Sequence, residues 1–227
     1  MLLEIENVLS AEALARFHEV LERAPWADGR VTAGYQSALA KNNHQLPEDC
    51  EECRTLGGVI LGALGANLIF QSAALPARIF PPLFNRYGPG QAFAAHVDNA
   101  MRLSAQTQER IRTDLSATLF LSEPDSYDGG ELVIDGNFGA QSVKLKAGDM
   151  ILYPSTSLHG VNAVTRGARV AAVFWVQSLV KDDACRDMLF DLDMCIQRLR
   201  ADVDDGHPSL ITLTGVYHNL VRRWGAP

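Results

Sequence analysis

Hydrophobic positions along this chain follow two rhythms. Near the start, Leu14, Phe17 and Leu21 recur every three or four residues and so share one helical face. Ser10 stands ahead of them as a cap, Glu12 suits the positive end of the helix dipole, and Pro25 stops the run. A polar stretch with Lys41-Asn42-Asn43-His44-Gln45 follows. Pro47 and the acidic run behind it predict the first turn of a second helix, carrying Leu56, Val59, Ile60, Ala63, Leu64 and Leu68. From about Ala77 the rhythm becomes strand-like. Ala77–Tyr87 is aromatic, β-branched and proline-punctuated, and Phe93–Asp98 is a short strand. Thr113–Glu123 alternates, with Leu115, Ala117, Leu119 and Leu121 on one face and polar residues largely on the other.

Further strands are predicted at Gly129–Ile134, Ser142–Lys146, Met150–Tyr153, Leu158–Val164 and Arg169–Leu179. The turns between them are Asp128-Gly129-Gly130, Asp135-Gly136-Asn137, Ala147-Gly148-Asp149 and Arg166-Gly167. Ser104–Arg112 interrupts the series as a helical or loop insertion. About eight short strands with such turns imply a double-sheet jelly roll rather than βαβ units. After Lys181 a helical stripe returns with Met188, Leu189, Leu192, Ile196, Leu199 and Val203, broken by Asp204-Asp205-Gly206-His207-Pro208. A last helix carries Val216, Tyr217, Leu220, Val221 and Trp224. The expectation is a mainly β protein with flanking helices: an N-terminal helical flank over 1–76, a double-stranded β-helix (jelly-roll) core over 77–179, and a C-terminal helical part over 180–227.

Composition narrows the function classes. At 227 residues the chain can form one substantial domain, and 47% hydrophobic with 21% charged residues argues against disorder. A net charge of −7 removes the driving force for generic phosphate-backbone binding, so no nucleic-acid partner is expected. Arg222-Arg223 reads as a solvated helix end. Met1–Ser10 lacks a basic n-region and a long apolar h-region. The apolar stretches Gly57–Phe70 and Arg169–Val180 fall short of the roughly 20 residues a spanning helix needs. No membrane association and a cytoplasmic location are therefore expected. Cys50-Glu51-Glu52-Cys53 has the spacing of a redox pair or half a zinc site, but Cys185 and Cys195 do not complete one. Acidic neighbours raise thiol pKa values, so the pair reads as two cysteines near a helix start.

The chemistry lies elsewhere. His96 and Asp98 stand two apart in a predicted strand, so both leave the same face, with Val97 turned into packing. His159 follows the apolar Met150–Tyr153 strand and is expected at the same barrel mouth. Two imidazoles and a carboxylate form the ligand set of a non-haem iron(II) site with one face open. Arg169, ten residues on, opens a strand whose Ala171, Val173 and Trp175 share its face. A guanidinium in such company is costly unless it pairs with a carboxylate, which fits the far end of a 2-oxoglutarate cosubstrate. Tyr87 offers that cosubstrate a hydroxyl, with Gly88 and Gly90 turning the chain toward the ligand strand. His44, beside Asn42 and Asn43, is a candidate substrate contact at the cavity mouth. His18, His207 and His218 read as surface or packing residues.

These runs resemble a known family. Asn85-Arg86-Tyr87-Gly88, His96-Val97-Asp98-Asn99, Gly129-Gly130-Glu131-Leu132, Ala147-Gly148-Asp149, Tyr153-Pro154-Ser155 and His159 are similar to the prolyl/lysyl hydroxylase-type (PKHD-type) group of iron(II)/2-oxoglutarate dioxygenases. Its bacterial iron-uptake-associated branch is resembled by Thr165–Ala171, Phe174–Ser178, Lys41-Asn42-Asn43 and Val216–Trp224. The resemblance implies that His96, Asp98 and His159 bind Fe(2+), that Arg169 binds 2-oxoglutarate, and that L-ascorbate keeps the metal reduced. It implies an O2-dependent hydroxylase releasing succinate and CO2, linked to iron uptake or homeostasis, acting on a small molecule or a peptide side chain. Asp98 fills the position that halogenating relatives leave open for chloride, which favours hydroxylation. Two other classes share the ligands: a non-catalytic iron/2-oxoglutarate sensor, and a cupin-like metal hydrolase, which has no need of Arg169. The apolar faces of the last two helices are explained equally by a homodimer and by intramolecular packing.

Overall fold

The structure, a computed structural model, describes residues 1–32, 41–136 and 139–226. Asn137 of the expected Asp135-Gly136-Asn137 turn lies outside the described residues. The helices are α1 (Ala11–Arg23), α2 (Glu51–Ala66), α3 (Leu68–Ala74), α4 (Asp183–Asp202) and α5 (Pro208–Trp224). The strands are β1 (Leu3–Ile5), β2 (Ala27–Asp28), β3 (Lys41–Asn42), β4 (His44–Gln45), β5 (Pro76–Ile79), β6 (Leu83–Tyr87), β7 (Ala92–His96), β8 (Met101–Leu103) and β9 (Arg110–Arg112). They continue with β10 (Leu115–Phe120), β11 (Asp128–Gly129), β12 (Leu132–Gly136), β13 (Gly139–Val143), β14 (Met150–Pro154), β15 (His159–Val161), β16 (Val164–Arg166) and β17 (Arg169–Ser178).

Local chemistry explains the helix ends. The Ser10 hydroxyl accepts from the Ala13 amide at 3.2 Å, and the Leu14, Phe17 and Leu21 stripe is buried as expected. The second helix starts later than predicted, because Pro47, Glu48 and Asp49 precede it without joining it and Cys50 takes the cap position. It also ends sooner. Asn67 breaks it and caps α3, with its side-chain oxygen accepting from the Phe70 amide at 2.9 Å. Leu68, expected on the second helix, instead opens α3 and is 82% exposed.

The large sheet runs β1-β14-β10-β17-β6-β4-β2, with β5 also pairing β17. The smaller sheet runs β13-β12-β15-β7-β3. Strands before residue 76 thus contribute to both sheets: β1, β2 and β4 to the large one, β3 to the small one. One core packs the outer face of the large sheet against helices. Leu115, Ala117 and Leu119 of β10, Met150 and Leu152 of β14, and Ala172, Phe174 and Val176 of β17 meet Phe17, Leu56, Ile60, Leu64 and Phe70. A second core fills the space between the sheets, joining Tyr87, Phe120, Ile151 and Tyr153 to Leu132, Ile134, Val143 and Val161. Each fully buried large side chain contributes about 1.5–3 kcal/mol, so both faces of the central strands stabilise the roll.

The alternation in β10 therefore has a different meaning from the one its pattern suggests. All six of its residues are buried, and Ser116 and Thr118 face the interior of the roll, not solvent. Two further expectations change. Ala77–Tyr87 is two strands, β5 and β6, separated by Pro81-Pro82, since proline supplies no ladder donor. Ser104–Arg112 is not a helical insertion but the turn and second strand of a β8–β9 ribbon, in register from Met101↔Arg112 to Leu103↔Arg110.

Candidate active site

Strand pairing builds the centre of the site. β7 and β15 are antiparallel neighbours, and His159 stands directly opposite His96 in the ladder. Directly opposed residues on one face bring their side chains together, and the two imidazole centroids lie 4.4 Å apart. The strands approach so closely that only glycine fits beside His159: a Cβ on Gly160 would sit 2.8 Å from the Phe93 carbonyl oxygen. Asp98 lies just beyond the end of β7, not within it as predicted. Its Oδ1 is 3.9 Å from His96 Nε2 and its Oδ2 3.6 Å from His159 Nε2. The three ligand atoms all fall within 4.8 Å of one another. Val97 is half exposed at the mouth rather than packed.

Hydrogen bonds orient these groups as a metal site would need them. His96 Nδ1 lies 2.9 Å from the Ala94 carbonyl oxygen and His159 Nδ1 lies 3.0 Å from that of Ser157. A carbonyl only accepts, so each Nδ1 carries the proton and each Nε2 presents its lone pair to the centre. Burial, and then the field of His159, lowers the His96 pKa and favours the neutral ligating form. Phe93 stacks on His96 with centroids 3.7 Å apart, and Tyr153 meets His159 edge-on at 5.1 Å. The Ser116 hydroxyl donates to Asp98 Oδ2 at 2.6 Å and lies 2.8 Å from the Ser155 hydroxyl. The donor set, its tautomers and its orientation all fit an iron(II) ion.

The cavity that contains the triad has an empty volume of about 800 Å3, counted out to its open mouth. Arg169 and Tyr87, paired across β17 and β6, also line it. Arg169 is 1% exposed, and no carboxylate lies within 4.0 Å of its guanidinium among the described residues. Its Nε has no acceptor among the described residues; the faces of Tyr87 and Phe120 stand 5.5 and 5.3 Å away. Burial holds the Tyr87 phenol protonated, with its pKa pushed up to about 12, so it acts as a donor. A buried guanidinium beside a neutral phenol fits the distal carboxylate of 2-oxoglutarate.

His44 does not reach this cavity. It is exposed, and its Nδ1 contacts Gln91 Nε2 at 3.2 Å. Its neighbours Lys41 and Gln45 line the cavity in its place. Sequence reasoning also missed Ser116, Ser155 and Arg102. Polar residues at alternate positions of an otherwise apolar strand were the available signal for Ser116. Arg102 gave none, because the pattern assigns no element to the residues between Asp98 and Ser104. Cys50 and Cys53 are both free thiols at the start of α2, remote in role from the cavity. Cys50 Sγ caps the Cys53 amide, and burial pushes the Cys53 thiol up to about 12.

Comparison with known proteins agrees with this geometry. The 2OG-Fe(II) oxygenase superfamily pattern matches residues 82–177, and that of the PKHD-type hydroxylase C-terminal domain matches 183–226. The chain is 58% identical to a PKHD-type hydroxylase of Bordetella pertussis over 99% of both chains. It is 59% identical to one of Pseudomonas putida, again over 99% of both. Among solved structures, a Pseudomonas putida prolyl-4-hydroxylase is similar with TM-score 0.54 and 19% identity, covering 78% of this chain and 92% of that one. A Trichoplax adhaerens prolyl hydroxylase in complex with a hypoxia inducible factor peptide fragment gives 0.53 and 12%, covering 77% and 82%. At such identities the structural likeness shows the jelly-roll fold alone. Full-length identity near three-fifths to curated relatives shows more: this chain belongs to the PKHD-type hydroxylases of the 2OG-Fe(II) oxygenase superfamily.

Proposed function

We propose that His96, Asp98 and His159 hold iron(II), that Arg169 holds the distal carboxylate of 2-oxoglutarate with Tyr87 as a second donor, and that the chain hydroxylates an aliphatic carbon of its substrate. The observation that carries this reading is Arg169, a fully buried guanidinium without a carboxylate partner among the described residues, in the same cavity as the triad. Iron(II), 2-oxoglutarate and O2 together supply the oxidising power, with succinate and CO2 released. The chain supplies orientation. The backbone carbonyls of Ala94 and Ser157 fix both imidazole tautomers, and Ser116 with Ser155 fixes the Asp98 carboxylate. Phe93, Tyr153 and Val161 keep apolar surface around the centre, which limits water.

L-ascorbate as the agent that keeps the metal ferrous, a role in iron homeostasis and a cytoplasmic location complete the proposal on the strength of the family resemblance. No single helix among the described residues is long and apolar enough to cross a membrane. Met188, Ile211 and Val216, exposed on α4 and α5, support a homodimer that analytical ultracentrifugation tests. A metal hydrolase is disfavoured, since it has no use for Arg169. The deciding experiment is an anaerobic titration of the iron(II) protein with 2-oxoglutarate, followed by its metal-to-ligand charge-transfer band. The band is expected in the native chain and lost in Arg169→Ala, which still binds metal. Absence of the band in the native chain overturns the oxygenase assignment, and an unchanged titration in the variant overturns the clamp. Succinate release coupled to a substrate panel separates an enzyme from a sensor.

A further inference from the structure

Two buried donors in the lining of the cavity remain to be explained. Arg102, on the β8–β9 ribbon just after His96 and Asp98, folds its guanidinium against an aromatic pair. Its central carbon lies 4.0 Å from the Trp175 ring centroid and 5.0 Å from that of Phe80. Those rings meet edge-to-face at 5.5 Å and form a rigid support. The ribbon is anchored in turn: Gln106 Nε2 donates to the Glu48 carbonyl at 2.7 Å, and the Thr113 hydroxyl to that of Asn99 at 2.6 Å. Arg102 Nε and Trp175 Nε1 are both buried without an acceptor among the described residues, and both residues line the cavity that holds His96, Asp98 and His159. A buried donor left unmade costs about 1–3 kcal/mol, so two of them on one wall point to an acceptor that arrives with a ligand.

That acceptor is not the distal carboxylate of 2-oxoglutarate if Arg169 binds it. The carboxylates whose fields reach Arg102 are Glu48 and Asp98, and neither lies within 4.0 Å of its guanidinium. Lys41 lines the same cavity, donating to Gln45 Oε1 at 2.7 Å. Its pKa is brought down to about 8, first by burial and then by the positive field of Arg102. Two cations and an indole N–H therefore give this region of the cavity an anion-binding character in a chain whose net charge is −7. A guanidinium whose central carbon is held 4.0 Å from an indole centroid is restrained in position, and its planar fork suits the two oxygens of a carboxylate.

We infer that the substrate oxidised here carries a carboxylate, and that Arg102, with the Trp175 indole N–H, binds it while the triad and Arg169 are occupied by metal and cosubstrate. This rests on the oxygenase reading above. Selectivity then comes from this wall: a neutral amide offers one acceptor oxygen where a carboxylate offers two and brings no charge to the guanidinium, so it binds more weakly at equal fit to the apolar lining.

The test uses the full chain, anaerobic, with iron(II) and saturating 2-oxoglutarate, so that Arg169 is already engaged. Phenylacetate and hexanoate are titrated against phenylacetamide and hexanamide as shape-matched probes. Shifts of the charge-transfer band and of indole fluorescence report binding. Acids are expected to bind about ten- to a hundred-fold tighter than their amides in the native chain. That ratio should fall to about one in Arg102→Gln and be partly kept in Arg102→Lys, with near-ultraviolet circular dichroism verifying the fold of each. Equal binding of acids and amides, failure of both acids to bind, or a preference that survives in Arg102→Gln overturns the inference. Absence of the charge-transfer band before any probe is added is a failure of the oxygenase reading instead.

Discussion

Replacing Arg169 by methionine separates the cost of this residue to folding from its use in binding. Methionine keeps a stem of similar length and removes the charge. In the folded chain the guanidinium is 1% exposed, its Nε lacks an acceptor, and its neighbours are aromatic faces 5.3 and 5.5 Å away. Relieving one unsatisfied buried polar group returns about 1–3 kcal/mol, and apolar replacements of buried charged groups range from neutral to about 4 kcal/mol stabilising. At about 2–4 °C per kcal/mol for a chain of this size, relief of about 1–3 kcal/mol is expected to raise melting of the ligand-free variant about 2–12 °C above the native chain. Binding moves the other way. Removing one partner of a buried ion pair costs about 3–5 kcal/mol, or about 150- to 4,000-fold in the 2-oxoglutarate Kd. The assay is thermal melting of the zinc-loaded proteins with and without 2-oxoglutarate. A ligand at a hundred times its Kd adds about 2.7 kcal/mol to the native chain, and the variant should show almost none of that shift. A variant that melts well below the native chain would refute the reasoning about cost, and a retained shift the reasoning about binding.

Three further outcomes follow from the same geometry. Ser116→Ala removes the 2.6 Å donor to Asp98 Oδ2 and should weaken metal affinity about 10- to 100-fold in a chelator competition, with the fold unchanged; undiminished affinity would make that hydrogen bond incidental. Gly160→Ala pushes a methyl to 2.8 Å from the Phe93 carbonyl and is expected to cost about 1–3 kcal/mol in urea unfolding while disturbing His96 on the same strand; native stability would show that β7 yields easily. Because burial raises the Cys53 thiol to about 12, its reactive thiolate appears only as pH rises toward that value. Iodoacetamide at pH 8 should therefore label exposed Cys195 and spare Cys53 until the chain is unfolded, read by mass spectrometry; rapid labelling of Cys53 in the folded chain would revive the redox pair.

Much of the fold is written in short-range pattern. The Leu14, Phe17 and Leu21 stripe with its Ser10 cap, and the glycine-rich turns between apolar runs, specify where α1 and the later strands lie. They do so because helix period, capping and turn chemistry each involve only a few neighbouring residues. The pattern misleads where burial is two-sided. Ser116 and Thr118 read as a solvent face, yet they line an interior cavity between two sheets. Val59 and Leu68 belong to the apolar positions of the predicted second helix, yet the Asn67 break and the placement of α2 and α3 leave them exposed.

The site divides along the same line. The identities of His96, Asp98, His159 and Arg169, and so the chemistry on offer, were legible in order and residue type alone. Tertiary structure alone decided that His159 stands opposite His96, that Ser116 donates to Asp98, and that Arg102 packs on Trp175 in the lining of the same cavity. Those relations depend on strand register and on the packing of one sheet against another. Register is a long-range choice, set when buried faces on distant segments must match, and no window of neighbouring residues contains it.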